Sequence, residues 1–169
     1  MLRSAIFVDY ECIKGDPPVN PGHVTRAIRR DISSRGVVQL SKHYFAMGLA
    51  NELSPIDQGK IFHAYEAGSD PVPIPSFRGS DAPRKSLVDP SAIVDIIDTL
   101  HTHPEISAYC VATCDKDFLP ALRKLAERGK YVRLYYRGDA AKILLQHVDS
   151  MRGDGFSGSF NLDDLLQNQ

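Results

Sequence analysis

The sequence predicts an α/β fold of three layers, α/β/α, with a central, mainly parallel sheet between helices. Short apolar runs alternate with longer stretches of helical periodicity along most of the chain. The strand-like runs are continuously hydrophobic rather than alternating, which is the pattern of strands covered on both faces. The length of 169 residues suits one domain over 1–169, with 151–169 as a peripheral tail.

The elements follow in order. Ser4–Asp9 (SAIFVD) reads as a buried strand. Pro21-Gly22 opens a helix from His23 to about Ser34, with Val24, Ala27, Ile28 and Ile32 at helical spacing. Val38–Met47 is a β-branched and aromatic strand. Pro55 suits a first helical turn, and Ile56–Glu66 follows as a helix. Val72–Phe77 is interrupted by prolines and predicts an edge strand. Residues 77–88 are irregular and locally basic. Asp89-Pro90 predicts a helix start, with Asp89 as N-cap, running to about Thr102. Ile106–Ala112 is the next strand, and Phe118–Arg128 a helix stopped by Gly129. Lys130–Tyr136 is the last clear strand, and Ala140–Asp149 the helix after it. The tail holds a Gly/Ser-rich turn and a short apolar end at Leu162, Leu165 and Leu166. That end offers a surface for a second copy of the chain or a larger protein partner.

The formal net charge is −1, so any basic surface for nucleic acid must be local. No apolar run is long enough to span a bilayer, so no membrane partner is expected. Met1-Leu2-Arg3-Ser4 leads straight into a strand without a signal-peptide layout, and three cysteines lack a framework spacing. Both features predict a cytoplasmic protein.

In open parallel sheets, ligands bind outside the carboxyl ends of the strands. Asp9 ends the first strand. Asp115 and Asp117, in VATCDKDFLPAL, follow the fourth, and Asp89 begins a helix that feeds it. If those strands are neighbours, the acids converge on one rim. Clustered carboxylates repel, and they persist by taking up protons or by holding a cation. Aspartate oxygens suit Mg²⁺ or Mn²⁺, which can activate a water against a phosphodiester. Plainer roles compete: Asp117 and Asp89 suit N-caps, and Asp95 shares a helical stripe with Ser91, Asp98 and Thr102. Asp9-Tyr10-Glu11 lacks the Asp-x-Asp spacing of an aspartyl-phosphate phosphatase.

These residues resemble a known family. Ala5–Ile13 (AIFVDYECI) looks like the first strand of NYN domains, the LabA-like branch of the PIN-like nucleases. Asp89–Ile96 (DPSAIVDI) resembles their second motif, and Thr113–Phe118 (TCDKDF) their third. The resemblance implies a metal-dependent ribonuclease using Mg²⁺ or Mn²⁺. Asp9, Asp95 and Asp115 would be its central acids, with Asp89 and Asp117 completing the pocket. Asp9, Asp95, Asp115 and Asp117 would be catalytic. The sequence departs from the family at Cys12, where asparagine is usual, and at Cys114-Asp115-Lys116, where Gly-Asp-Ser is common. These departures favour an alternative: a catalytically weakened module that binds RNA or protein. Cys12 and Cys114 are expected to approach each other across the rim, as a thiol pair open to oxidation or zinc.

RNA is the expected substrate, with DNA left open. An acidic pocket needs flanking cations to hold phosphates. Arg78, Arg84, Lys85 and Lys116 are the candidates, with Lys14 and Arg137 secondary. Tyr10 is expected to stack on a base, with Cys12 and Thr113 also lining the substrate path.

Overall fold

A computed structural model describes residues 1–47, 54–77 and 85–167. The chain opens with β1 (Leu2–Asp9), buried without a break from Ser4 onward. A single turn, α1 (Tyr10–Ile13), leads to α2 (Pro21–Ile32), which Asn20 caps by accepting from the Gly22 N–H at 2.8 Å. β2 (Gly36–Met47), α3 (Pro55–Glu66) and β3 (Asp70–Phe77) follow. A two-residue strand, β4 (Lys85–Ser86), precedes α4 (Val88–Thr102) and β5 (Ala108–Ala112). A short 3-10 turn over Lys116–Phe118 enters α5 (Leu119–Glu127), and then come β6 (Tyr131–Tyr136) and α6 (Lys142–Asp149). The chain ends in β7 (Gly158–Asn161) and α7 (Leu162–Leu166).

Among the described residues the sheet order is β4-β3-β2-β1-β5-β6-β7. All neighbours are parallel except β3 and β4. The three-layer expectation holds, since apolar clusters fill both faces. On one face α4, α5 and α6 cover Ala5, Phe7, Tyr44 and Val111. On the other, α2 and the termini cover Ile6, Val8, Phe45 and Cys110. α2 buries Val24, Ala27, Ile28 and Ile32 there, and each isoleucine contributes about 1.5–3 kcal/mol relative to exposure. No helix among the described residues is long and apolar enough to cross a membrane.

Four local features define the margin of the sheet and its joints to the helices. Pro71, Pro73 and Pro75 of β3 stand opposite His43, Phe45 and Met47 of β2. Gly22 lets α2 approach α3: a Cβ there would stand 2.6 Å from the His63 carbonyl oxygen. Arg133, 4% exposed, ties three elements together. Its guanidinium donates to Asp31 of α2 at 2.8 and 3.2 Å and to the Phe156 carbonyl at 2.7 Å, and lies 3.6 Å over the Phe160 ring of β7. Finally, the apolar tail packs on its own chain. Leu162 is fully buried, and Leu165 and Leu166 rest on the same core cluster. The leucines offered to a second copy are therefore largely used within the chain, because β7 joins the sheet and brings α7 against α2.

Candidate active site

β1 and β5 are neighbours, so Asp9 and the residues after Ala112 share one rim of the sheet. α4 runs from that rim back to the start of β5, which puts its N-terminus, and the positive end of its dipole, at the same place.

Asp9 is 2% exposed. It caps α1, with Oδ1 accepting from the Cys12 N–H at 3.3 Å, and Oδ2 accepts from the Thr113 hydroxyl at 3.1 Å. The same hydroxyl accepts the Asp115 N–H at 3.2 Å. Thr113 is anchored in turn by its own N–H, which donates to the Tyr135 carbonyl at 3.0 Å. One buried hydroxyl thus sets β1's last acid against the start of the Asp115 turn. Asp115 caps that turn, Oδ1 accepting from the Asp117 N–H at 2.9 Å.

Asp89 enters from the first turn of α4, half-buried and within hydrogen-bonding reach of both Asp9 and Asp115. Burial, then the Asp115 charge, pushes its carboxyl above the usual range. Burial, then the nearby Cys12 and Asp89, pushes Asp9 well up. Three acids from three separated segments thus meet, and crowding and burial favour the protonated forms of Asp9 and Asp89. Among the described residues, however, no three His, Cys, Asp or Glu groups are arranged as a ready-made metal cage.

The placement corrects several expectations. Asp89 is not an N-cap: the helix starts two residues earlier than expected, after Leu87, and the side chain turns to the acids. Asp117 does not cap a helix either: Asp115 caps the 3-10 turn, and α5 has Phe118 at its cap position with no side-chain cap. Asp117 is exposed at the edge of the cluster, where its charge acts on Asp89. Asp95 does not join the central group. Lying six residues beyond Asp89, it is turned about 240° round the helix. Its Oδ2 accepts from Lys42 Nζ at 2.8 Å and from the Tyr44 hydroxyl at 2.7 Å. The central place expected for Asp95 is filled by Asp89.

Tyr10 cannot stack on a base. The α1 turn folds it inward, 1% exposed, against His43 and Phe45, with its hydroxyl on the Val19 carbonyl at 2.6 Å. Thr113 is fully buried and positions acids rather than lining a substrate path. Cys12 faces Cys114: its sulfur accepts the Cys114 N–H at 3.1 Å, and the Cys114 thiol donates to the Arg137 carbonyl at 3.2 Å. The expected approach of the two cysteines is present. Their mutual hydrogen bond pushes Cys12 up and holds Cys114 down at about 7. Lys116 is exposed beside the acids. Lys14 pairs with Glu11, and Arg137 with Asp163. Arg78 and Arg84 lie outside the described residues, as does the side chain of Lys85. Lys42 and Tyr44 escaped sequence reasoning. Their signal was alternation, two polar-tipped residues on one face of a strand that otherwise reads as buried.

Residues 3–152 match the sequence pattern of the NYN domain family. Among solved structures, the chain is similar to a crystal structure of a protein of unknown function from Vibrio parahaemolyticus RIMD 2210633. The TM-score is 0.72 at 16% identity, over 97% of this chain and 94% of that one, a likeness of fold. No curated protein matches.

Proposed function

The chain belongs to the NYN domain family, a branch of the PIN-like nucleases, and from that premise we propose that it is a metal-dependent endoribonuclease. The observation that carries the reading is the convergence of Asp9, Asp89 and Asp115 at the carboxyl ends of β1 and β5. Their donor set is oxygen only, and Mg²⁺ or Mn²⁺ needs just one or two carboxylates when waters complete the shell. The missing cage is therefore compatible with such an ion. Asp9, Asp89 and Asp115 would hold it, with Asp117 acting through water. When bound, the ion would supply the charge that activates a water and steadies phosphate oxygens.

The chain's own groups do the rest. Thr113 fixes the spacing of Asp9 and Asp115. The N-terminus of α4 favours negative charge at the rim. Lys116, with Arg78, Arg84 and Lys85 from the stretch of sequence that precedes Asp89, would hold flanking phosphates. The unbridged cysteines suit a reducing, cytoplasmic setting.

A second reading, a module that binds RNA or protein without cutting, draws on Cys12, which faces Cys114 where the family's asparagine is expected. One assay separates them. Single-stranded and structured RNA, with DNA in parallel, are incubated with Mn²⁺, Mg²⁺ or EDTA. The nuclease should cut only with metal, and Asp115→Asn should slow it by at least about a hundredfold. Binding without cleavage would establish the module. Cleavage indifferent to both metal and variant would remove both readings.

A further inference from the structure

α4 packs over β1 and β2 and leaves the same face of β3 beyond its edge. The result is a groove of about 470 Å³ between Val72 and Ile74 on one side and Leu87, Pro90 and Val94 on the other, reaching Asp95. Leu87 and Val94 are 46% and 64% exposed, so the apolar walls are open to an occupant. Pro90, in the groove wall, follows Asp89 in the first turn of α4, so the groove begins at the helix end that carries one of the acids. Asp95 lies six residues further along the helix, roughly 9 Å at 1.5 Å per residue. Lys42 and Tyr44 both use Oδ2 of Asp95, and Oδ1 has no hydrogen-bond partner among the described residues. Lys42 offsets the charge. The groove thus joins apolar walls to one unengaged acceptor, on the helix whose first turn carries Asp89.

We infer that this groove is a nucleobase subsite for a base carrying an exocyclic amino group. The inference rests on the nuclease reading, since the base belongs to the nucleotide whose phosphate meets the acids. The base lies between Val94 and the β3 side chains, burying its faces against aliphatic groups. Its amino group donates to Asp95 Oδ1, as cytosine N4 donates to carboxylates elsewhere. Uracil presents a carbonyl at that position and meets an acceptor with an acceptor. A site built on such a hydrogen bond rejects the analogue that lacks it.

Cytosine and uracil differ chiefly at this edge, so they form the test. Fluorescein-labelled oligocytidine and oligouridine of equal length are titrated against the full chain in EDTA and read by anisotropy. Oligocytidine should bind about tenfold more tightly. In Asp95→Asn the amide oxygen can take Lys42 and Tyr44, and its NH₂ then faces the base as a donor. The preference should fall to within about twofold or invert toward uridine, and Asp95→Ala should abolish it. Melting curves check that both variants fold. Equal binding of the two oligonucleotides by the unaltered chain, which needs no variant, overturns the proposal, and so does an unchanged preference in folded Asp95→Asn. Failure of both to bind, with an apolar peptide bound instead, also overturns it and makes the groove a protein-docking surface. Cleavage of the same oligonucleotides with Mn²⁺ reads the acids separately. Preference without cleavage sinks the nuclease reading, and cleavage without preference sinks the subsite.

Discussion

The buried Asp9 carboxyl and its neighbour Asp89 set how stability responds to pH. Both hold protons more tightly in the folded chain than an ordinary carboxyl does. Their contribution is complete below the unfolded value of about 4 and is lost as pH rises through the raised folded values. In EDTA the protein should therefore lose stability as pH rises above about 4 on their account. Asp9→Asn keeps acceptors for Cys12 and Thr113 but removes the charge. It should melt above the unaltered chain at pH 7 and level with it near pH 4. Parallel melting curves at both values would dismiss the raised Asp9 carboxyl. Arg133 poses the opposite case, a buried ion whose partners are all in place. Arg133→Met leaves Asp31 with only the Tyr135 hydroxyl, at 2.7 Å, among the described residues, and urea unfolding should register a loss of about 3–5 kcal/mol. Arg133→Lys should recover little, because an ammonium cannot reproduce the planar double contact or the stacking on Phe160.

At the level of elements, the α2–α3 contact depends on the absence of a side chain at Gly22. Gly22→Ala should push α2 away from the His63 carbonyl and cost about 1–3 kcal/mol in urea unfolding, although alanine is the better helix former. Most elements are legible in the sequence, because buried parallel strands and amphipathic helices carry their period there. What is not legible depends on partners distant along the chain. β7 has no β-branched residue. It is a strand because it pairs with β6 and because Asp149 accepts from the Ser159 N–H and hydroxyl at 2.9 and 2.7 Å. The acids show the same divide. Strand ends and the sheet rim placed Asp9 and Asp115 correctly. Which of Asp89 and Asp95 meets them turned on a helix start shifted by two residues and on Lys42 and Tyr44 waiting across the groove for Asp95. Tyr10 misled because a single turn after the strand was enough to bury it.

Across the whole molecule, a net charge of −1 leaves RNA binding to a local group of cations. If Lys116, Arg78, Arg84 and Lys85 each meet a phosphate, the logarithm of affinity should fall against the logarithm of salt with a slope of roughly −3 for a single strand. A slope near zero would remove that footprint. The sheet as a body also has a margin to defend. Side-by-side pairing with β2 uses the residues of β3 whose amides point inward, and Pro71, Pro73 and Pro75 occupy the alternate positions that point outward. Short of the β4 pairing at Ser76 and Phe77, that border keeps its carbonyls but has no hydrogens to offer. A foreign strand arriving there finds half a ladder, so the chain is protected from sticking to copies of itself as it emerges or crowds. Valine at all three positions would restore the missing rungs, and light scattering at high concentration should then rise while the unaltered chain stays clear.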